Sequence, residues 1–205
     1  MSLLSRRRAL IVLATLTVTP AYAQGGDPAA PIAVLNAGLL ASMKAGHATP
    51  FAQRAATLRP VIEAAFDLDT ILRTSVGAKF ASLPAADQTS LREAFGRYTV
   101  DSYAGNFDSF SGEKFAVLPN PRAVGADRVV ATTLQQTTGA PIKLDYVMRS
   151  GPAGWRAVDV LLDGSISRVA VQRSDFRALV AGGTAAPLIA RLQAKAAALE
   201  AGAKG

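Results

Sequence analysis

The chain has 205 residues, half of them hydrophobic, and its 22 lysines and arginines against 15 acidic residues give a formal charge of +7. With no cysteine and a single histidine, a disulfide framework and a metal site built from Cys and His are excluded. The basic residues are scattered without a Lys/Arg block or interleaved aromatics, which argues against nucleic acid as a partner.

The N-terminus reads as an export leader. Arg6-Arg7-Arg8 form a basic start, residues 9–18 an apolar run, and Ala21-Tyr22-Ala23 an A-x-A cleavage signal. The run is shorter than the ~20 residues that a spanning helix needs. Ser5-Arg6-Arg7 half-matches a twin-arginine signal, with Ala9 where an aromatic is expected, so both export routes stay open. The expected organisation is a signal peptide over 1–23, a flexible mature N-terminus over 24–31, one domain over 32–200 and a flexible tail over 201–205. The expected destination is the periplasm. Removing the three leader arginines lowers the charge from +7 to +4. That is a mild surface charge, compatible with anionic lipid headgroups or with ordinary solvation.

Apolar spacing then predicts a run of helices. Ile32, Leu35, Leu39 and Leu40 mark a short one that residues 46–49 break. Phe51, Ala55, Leu58, Ile62 and Phe66 mark a second, with Pro60 imposing a kink or restart. Asp67 and Asp69 offer a cap for a third carrying Leu68, Ile71 and Leu72. Phe80 sits in a further segment, and Pro84 suits the first turn of a longer helix to about Phe107, with Leu91, Phe95, Tyr98 and Ser102 on one face.

The period changes to strand over 114–118 and 127–135. Residues 142–149 alternate, with Ile142, Leu144, Tyr146 and Met148 on one face, before turn residues 150–154 and a second β-rich run over 155–162. That pair reads as a hairpin with a five-residue loop. Ser165 stands where a helix cap belongs, followed by a helical stripe of Ile166, Val169, Ala170, Phe176 and Val180, and a last helix on Leu188, Leu192 and Leu199. Helices, about four antiparallel strands, then helices indicate an α+β domain.

Catalytic equipment is sparse. His47 has no second histidine beside it in sequence, and no G-x-S-x-G occurs. Asp67 and Asp69 have a capping explanation. Asp159 falls by parity on a face with Trp155, Ala157 and Leu161, where a carboxylate needs a partner. Arg173, inside an apolar helical stripe, is the expected partner in a structural ion pair.

Five stretches carry a resemblance: FDLDTILRTSVG (66–77), DQTSLREAFGRYTVDSYA (87–104), FSGEKFAVLP (110–119), LDYVMRSGPAGWRAVDVLLDGSISRVAVQRSDF (144–176) and APLIARLQAK (186–195). They resemble the periplasmic phospholipid-shuttle family, also called the toluene-tolerance auxiliary family, of the Mla lipid-asymmetry system. The most specific piece is Asp145-Tyr146, Gly154-Trp155, Asp159-Val160 and Gly164-Ser165. The wording DGSISRVAVQRSDF is closer to the family's hopanoid-biosynthesis-associated branch. Phe80 departs from the tryptophan that many members carry.

The resemblance implies a curved antiparallel sheet wrapped by helices, cystatin/NTF2-like, with an apolar pocket that takes acyl chains and leaves the headgroup at its mouth. It implies no catalysis and no cofactor. The implied partners are a lipid, phospholipid or hopanoid, and transiently the membrane-bound lipid-transport proteins of the inner and outer membranes. Phe80, Phe95, Tyr98, Leu144, Tyr146 and Met148 are the expected lining, as large side chains on inward faces. Two other readings stay open. One is an isomerase or dehydratase using Tyr146 and Asp159; the other is a non-binding transporter adaptor, which predicts a filled core.

Overall fold

The computed structural model describes residues 26–203. The leader read at 1–23 lies outside the described residues, as do the last two residues of the tail. Seven helices are described: α1 (Ala30–Ala45), α2 (Phe51–Ala65), α3 (Leu68–Val76), α4 (Lys79–Ser82), α5 (Ala85–Asn106), α6 (Arg168–Arg177) and α7 (Ala186–Glu200). Six strands lie between α5 and α6: β1 (Lys114–Val117), β2 (Arg122–Val124), β3 (Asp127–Gln135), β4 (Ile142–Gly151), β5 (Gly154–Leu162) and β6 (Ile166–Ser167). Among the described residues no helix is long and apolar enough to cross a membrane.

Local chemistry explains most boundaries. Asp67 caps α3, its Oδ1 accepting from the Thr70 amide at 2.9 Å. Helix α1 starts at Ala30, inside the stretch expected to be floppy, with Pro31 pre-setting its first turn. Pro60 does not break α2. Both Pro60 and Ala56, four residues earlier, face solvent, so water takes up the carbonyl that loses its partner. Where α1 crosses α2, a Cβ on Gly38 would lie 2.9 Å from Val61 Cγ1, so only glycine permits this approach.

The sheet is open and antiparallel, in the order β1-β3-β4-β5-β6 with β2 also on β3. The fold class is α+β, with six strands instead of about four. The extra two are short: β2 lies between the expected strands over 114–118 and 127–135, where the sequence predicts no element, and β6 has two residues. Asp163 and Gly164, both at positive φ, make a tight turn that returns Ile166 and Ser167 onto Leu162 and Leu161. That postpones the helix, so the cap of α6 is Ser167 and not Ser165; its side chain accepts from the Ala170 amide. The β4–β5 loop also has two residues, Pro152 and Ala153, because Gly151 pairs with Gly154 at φ 85°.

Strand register fixes what faces the helices. Tyr146 pairs with Val130 and Val160, and Leu144 with Thr132 and Leu162. Past Val147 the register shifts, and Met148 pairs with Ala157. This bulge inserts Val158, so Ala157, Val160 and Leu162 share the face of Leu144, Tyr146 and Met148. The helical layer closes over that face. Phe66, between α2 and α3, bridges to Ala157, and the Asp67 amide donates to the Ala157 carbonyl at 2.9 Å.

At the far edge Arg149 forks onto Asp127, with Nε to Oδ1 at 2.9 Å and Nη2 to Oδ2 at 2.7 Å. The Arg149 hydrogen bond, against a smaller opposing effect of burial, holds the Asp127 carboxyl below the ordinary 3.8. A depressed folded-state value means that this stabilisation is complete above about pH 3.8 and is lost as pH falls through the lower value. Because Arg149 is half exposed, Arg149→Ala should cost only about 1 kcal/mol at pH 7. Denaturant midpoints of the two proteins should differ at pH 7 and converge in acid. Equal midpoints at pH 7 would remove the fork from the account.

Candidate functional site: an apolar chamber between sheet and helices

Between the layers lies a cavity of about 410 Å³, within the ~300–1,000 Å³ of small-ligand sites. Helix α5 contributes Phe95, Tyr98, Thr99, Ser102, Tyr103 and Asn106 to its wall, the i, i+3, i+4 and i+7 spacing of one helical face. The sheet contributes Leu144, Tyr146, Val160 and Leu162, the α2–α3 junction Phe66, Leu68 and Ile71, and α6 Arg168, Val169 and Gln172. The exposed members among these are Asn106 and Arg168. The chamber therefore opens between the last turn of α5 and the first of α6.

Aromatic rings fix the inner wall. Phe66 lies 5.6 Å from Tyr103 and 6.1 Å from Tyr146, centroid to centroid, and Tyr103 stacks on Phe107 at 5.8 Å. Burial pushes the Tyr103 phenol well up, the neighbouring Tyr146 adds to this, and Arg168 opposes it. Burial raises the Tyr146 phenol too. Both remain neutral phenols at any physiological pH.

Four of the six expected lining residues stand on the wall: Phe95, Tyr98, Leu144 and Tyr146. Phe80 and Met148 do not. Phe80 is buried beneath two cations, with the Arg73 and Arg92 guanidinium carbons 4.8 and 5.1 Å from its ring centre. Asp69 clamps both arginines there. Met148 shares the inward face but lies beyond the bulge, opposite Ala157, where the layers meet without a gap.

The expected Asp159–Arg173 ion pair is not formed. Asp159 Oδ2 accepts from the Ser167 hydroxyl, and Oδ1 from the Val160 and Val169 amides at 2.7 and 3.1 Å. It thus ties β5 to the start of α6. Arg173 is on the exposed side of α6, against Gly77, where a Cβ would meet its Nη2 at 3.4 Å. The Val158 bulge undoes the parity that put Asp159 on the Ala157 face, and Arg173 lies outside the buried stripe of Val169 and Phe176 in which the helical spacing placed it.

His47 is exposed, in a separate recess of about 180 Å³, with its Nε2 3.6 Å from Asp108 Oδ2. Arg54, also in that recess, is buried and donates to the Thr49 and Ala104 carbonyls. Among the described residues no group of three or more His, Cys, Asp or Glu side chains could hold a metal. Sequence reading missed Phe66, Tyr103, Asn106, Val160, Leu162, Arg168 and Gln172 on the chamber wall. Extending the Phe95 face of α5 by helical spacing finds Tyr103 and Asn106. Arg168 and Gln172 needed the true start of α6.

A helical layer over an antiparallel sheet, enclosing an aromatic-walled chamber with a polar rim, defines the class of protein: a hollow α+β domain. The same fold occurs in the solved structure of a phospholipid-binding protein from Ralstonia solanacearum in complex with a phospholipid. The TM-score is 0.71 at 22% identity, over 84% of this chain and 98% of that one. The MlaC protein family model matches residues 35–194, and the chain belongs to that family. Among curated proteins no match is found.

Proposed function

We propose that this chain is an exported lipid carrier whose single domain, over 32–200, holds a phospholipid by its acyl chains. In this reading it works in the periplasm, after cleavage of the 1–23 leader. There it moves its cargo between membranes or to an inner-membrane transporter, through transient contact with their lipid-transport proteins. The observation that carries the reading is the 410 Å³ apolar chamber with its opening beside Arg168. Family membership and a fold shared with a phospholipid-bound protein support it. A carrier in water must hide acyl methylenes worth about 0.8 kcal/mol each, which a chamber does and a surface patch does not. The +4 charge left without the leader favours brief encounters with anionic membranes.

The competing readings fare less well. A filled-core adaptor has no use for the chamber. An enzyme using Tyr146 or Asp159 would need one of them as a base, yet burial keeps the phenol protonated and three donors occupy the carboxylate.

The test is exchange between vesicles. The mature protein should accelerate transfer of a fluorescent phospholipid from donor to acceptor vesicles in proportion to its concentration. Transfer no faster than in buffer would end the carrier reading. Transfer of a hopanoid with none of phospholipid would reassign the cargo.

A further inference from the structure

The apolar inward face of the sheet does not stop where the helical layer does. Along β4, Tyr146 is buried, Leu144 is half-buried, and Ile142 is 36% exposed. Strand register carries the same surface sideways. Leu144 pairs with Leu162, and Leu162 with Ile166, which is 51% exposed. In the next row Ile142 pairs with Leu134, and Leu134 with Phe115. Directly paired side chains share a face at ~5 Å spacing, so these six form one apolar surface. Its inner part, Leu144 and Leu162, is chamber wall. Phe115 meets Phe107, just past the end of α5, at 6.0 Å between ring centres. The surface thus runs from inside the chamber to a lip at the end of the sheet, where Ile142 and Ile166 stand to either side of Leu162. Lys114, Lys143 and Arg168 are exposed around this lip. Asp163 is the exposed acid on the adjoining turn, while Glu113 is half-buried and accepts from the Ser111 amide at 2.6 Å.

From this geometry we infer that the lip docks the protein directly on a lipid bilayer. Ile142 and Ile166 dip into its apolar layer, and Lys114, Lys143 and Arg168 stay among its anionic headgroups. The inference rests on the carrier reading and names the surface by which the carrier meets a membrane without a protein partner. Continuity with the chamber selects a bilayer as the occupant. An acyl chain passing between membrane and chamber meets water at every methylene unless apolar surface lines its path, and the lip is that lining. Lysine and arginine suit the boundary, because their stems lie along apolar surface while their heads reach phosphates. Two isoleucines bury too little to anchor the protein, so the contact is reversible, as a shuttle requires.

The test compares the mature native protein with the double variant Ile142→Thr/Ile166→Thr. Each transfers a fluorescent phospholipid between protein-free vesicles of phosphatidylethanolamine and phosphatidylglycerol. Threonine keeps the branched shape that suits a strand and gives up apolar surface. The double variant should transfer about tenfold more slowly, the loss of two partly inserted side chains. Its melting temperature and its lipid content after purification should match those of the native protein. Ile166→Trp, which adds an interfacial aromatic, should sediment with the vesicles several-fold more than native protein. Val124→Ser should behave as native protein, since Val124 is 46% exposed but pairs with Asp127 at the other end of β3. Undiminished transfer by the double variant, or no gain from Ile166→Trp, would overturn the inference, leaving the lip to a protein partner and the carrier reading standing. A lower lipid content in the folded double variant would overturn it too, by making the isoleucines part of the binding site. A native dimer that the double variant splits, measured by light scattering, would assign the lip to a second copy instead. No transfer by the native protein would overturn the carrier reading and the inference together.

Discussion

Met148→Asp should yield no folded protein, whereas Leu144→Asp should yield a folded one that carries no lipid. The two residues are four apart on β4 and share its inward face, so sequence treats them alike. Their surroundings differ. Met148 is 0% exposed and packed against Ala157 where the layers meet. A carboxylate there must be buried unpaired or be protonated, at a cost above ~5 kcal/mol, which rivals the whole stability of a domain of this size. Leu144 is partly exposed on the chamber wall, so a carboxylate reaches the void and the water that enters it. The fold then loses only leucine's own burial, about 2 kcal/mol. Circular dichroism and gel filtration of the two variants check the contrast. Two unfolded variants would mean that the Leu144 site is solid core.

Asp159→Ala should lower the melting temperature by roughly 6–12 °C, and Arg173→Ala by no more than about 2 °C. Asp159 receives three hydrogen bonds, and two of them, from the Ser167 hydroxyl and the Val169 amide, join β5 to the first turn of α6. A hydrogen bond to a charged group is worth ~1.5–3 kcal/mol, and a partly solvated carboxylate retains about 3 kcal/mol from the set. At ~2–4 °C per kcal/mol for a domain of this size, that gives the range stated. Arg173 has no carboxylate partner among the described residues and faces solvent, so its removal costs little. Ser167→Ala should lose part of what Asp159→Ala loses, since it removes one of the three donors. Equal losses for Asp159→Ala and Arg173→Ala would restore the ion pair that the sequence led us to expect.

Helical spacing and strand alternation were enough to place the long elements. The expected helix from Pro84 to about Phe107 is α5, and the strand over 127–135 is β3. Leu91, Phe95, Tyr98 and Ser102 recur at helical spacing along α5, and β3 is a β-branched run bounded by turn residues. What escaped depends on single residues. Val158 adds one residue to β5, and every inward and outward assignment beyond it inverts relative to Ala157. That bulge takes Asp159 off the Ala157 face, and Arg173 separately falls on the exposed side of α6, so the two do not pair. The turn at Asp163 and Gly164 spends three residues before the helix begins, moving the cap to Ser167 and bringing Arg168 to the chamber. Phe80 and Phe95 look equivalent in sequence. Only packing decides that one lies under two arginines and the other lines a void. Periodicity distinguishes inside from outside, but not a filled inside from a hollow one.

The central claim is that the chamber holds lipid, and the direct measurement is organic extraction of the protein purified from its exporting cell, followed by lipid phosphorus and mass analysis. The account predicts about one phospholipid per wild-type molecule and essentially none in the folded Leu144→Asp variant. Lipid-free wild-type protein, or equal lipid on both proteins, would contradict it.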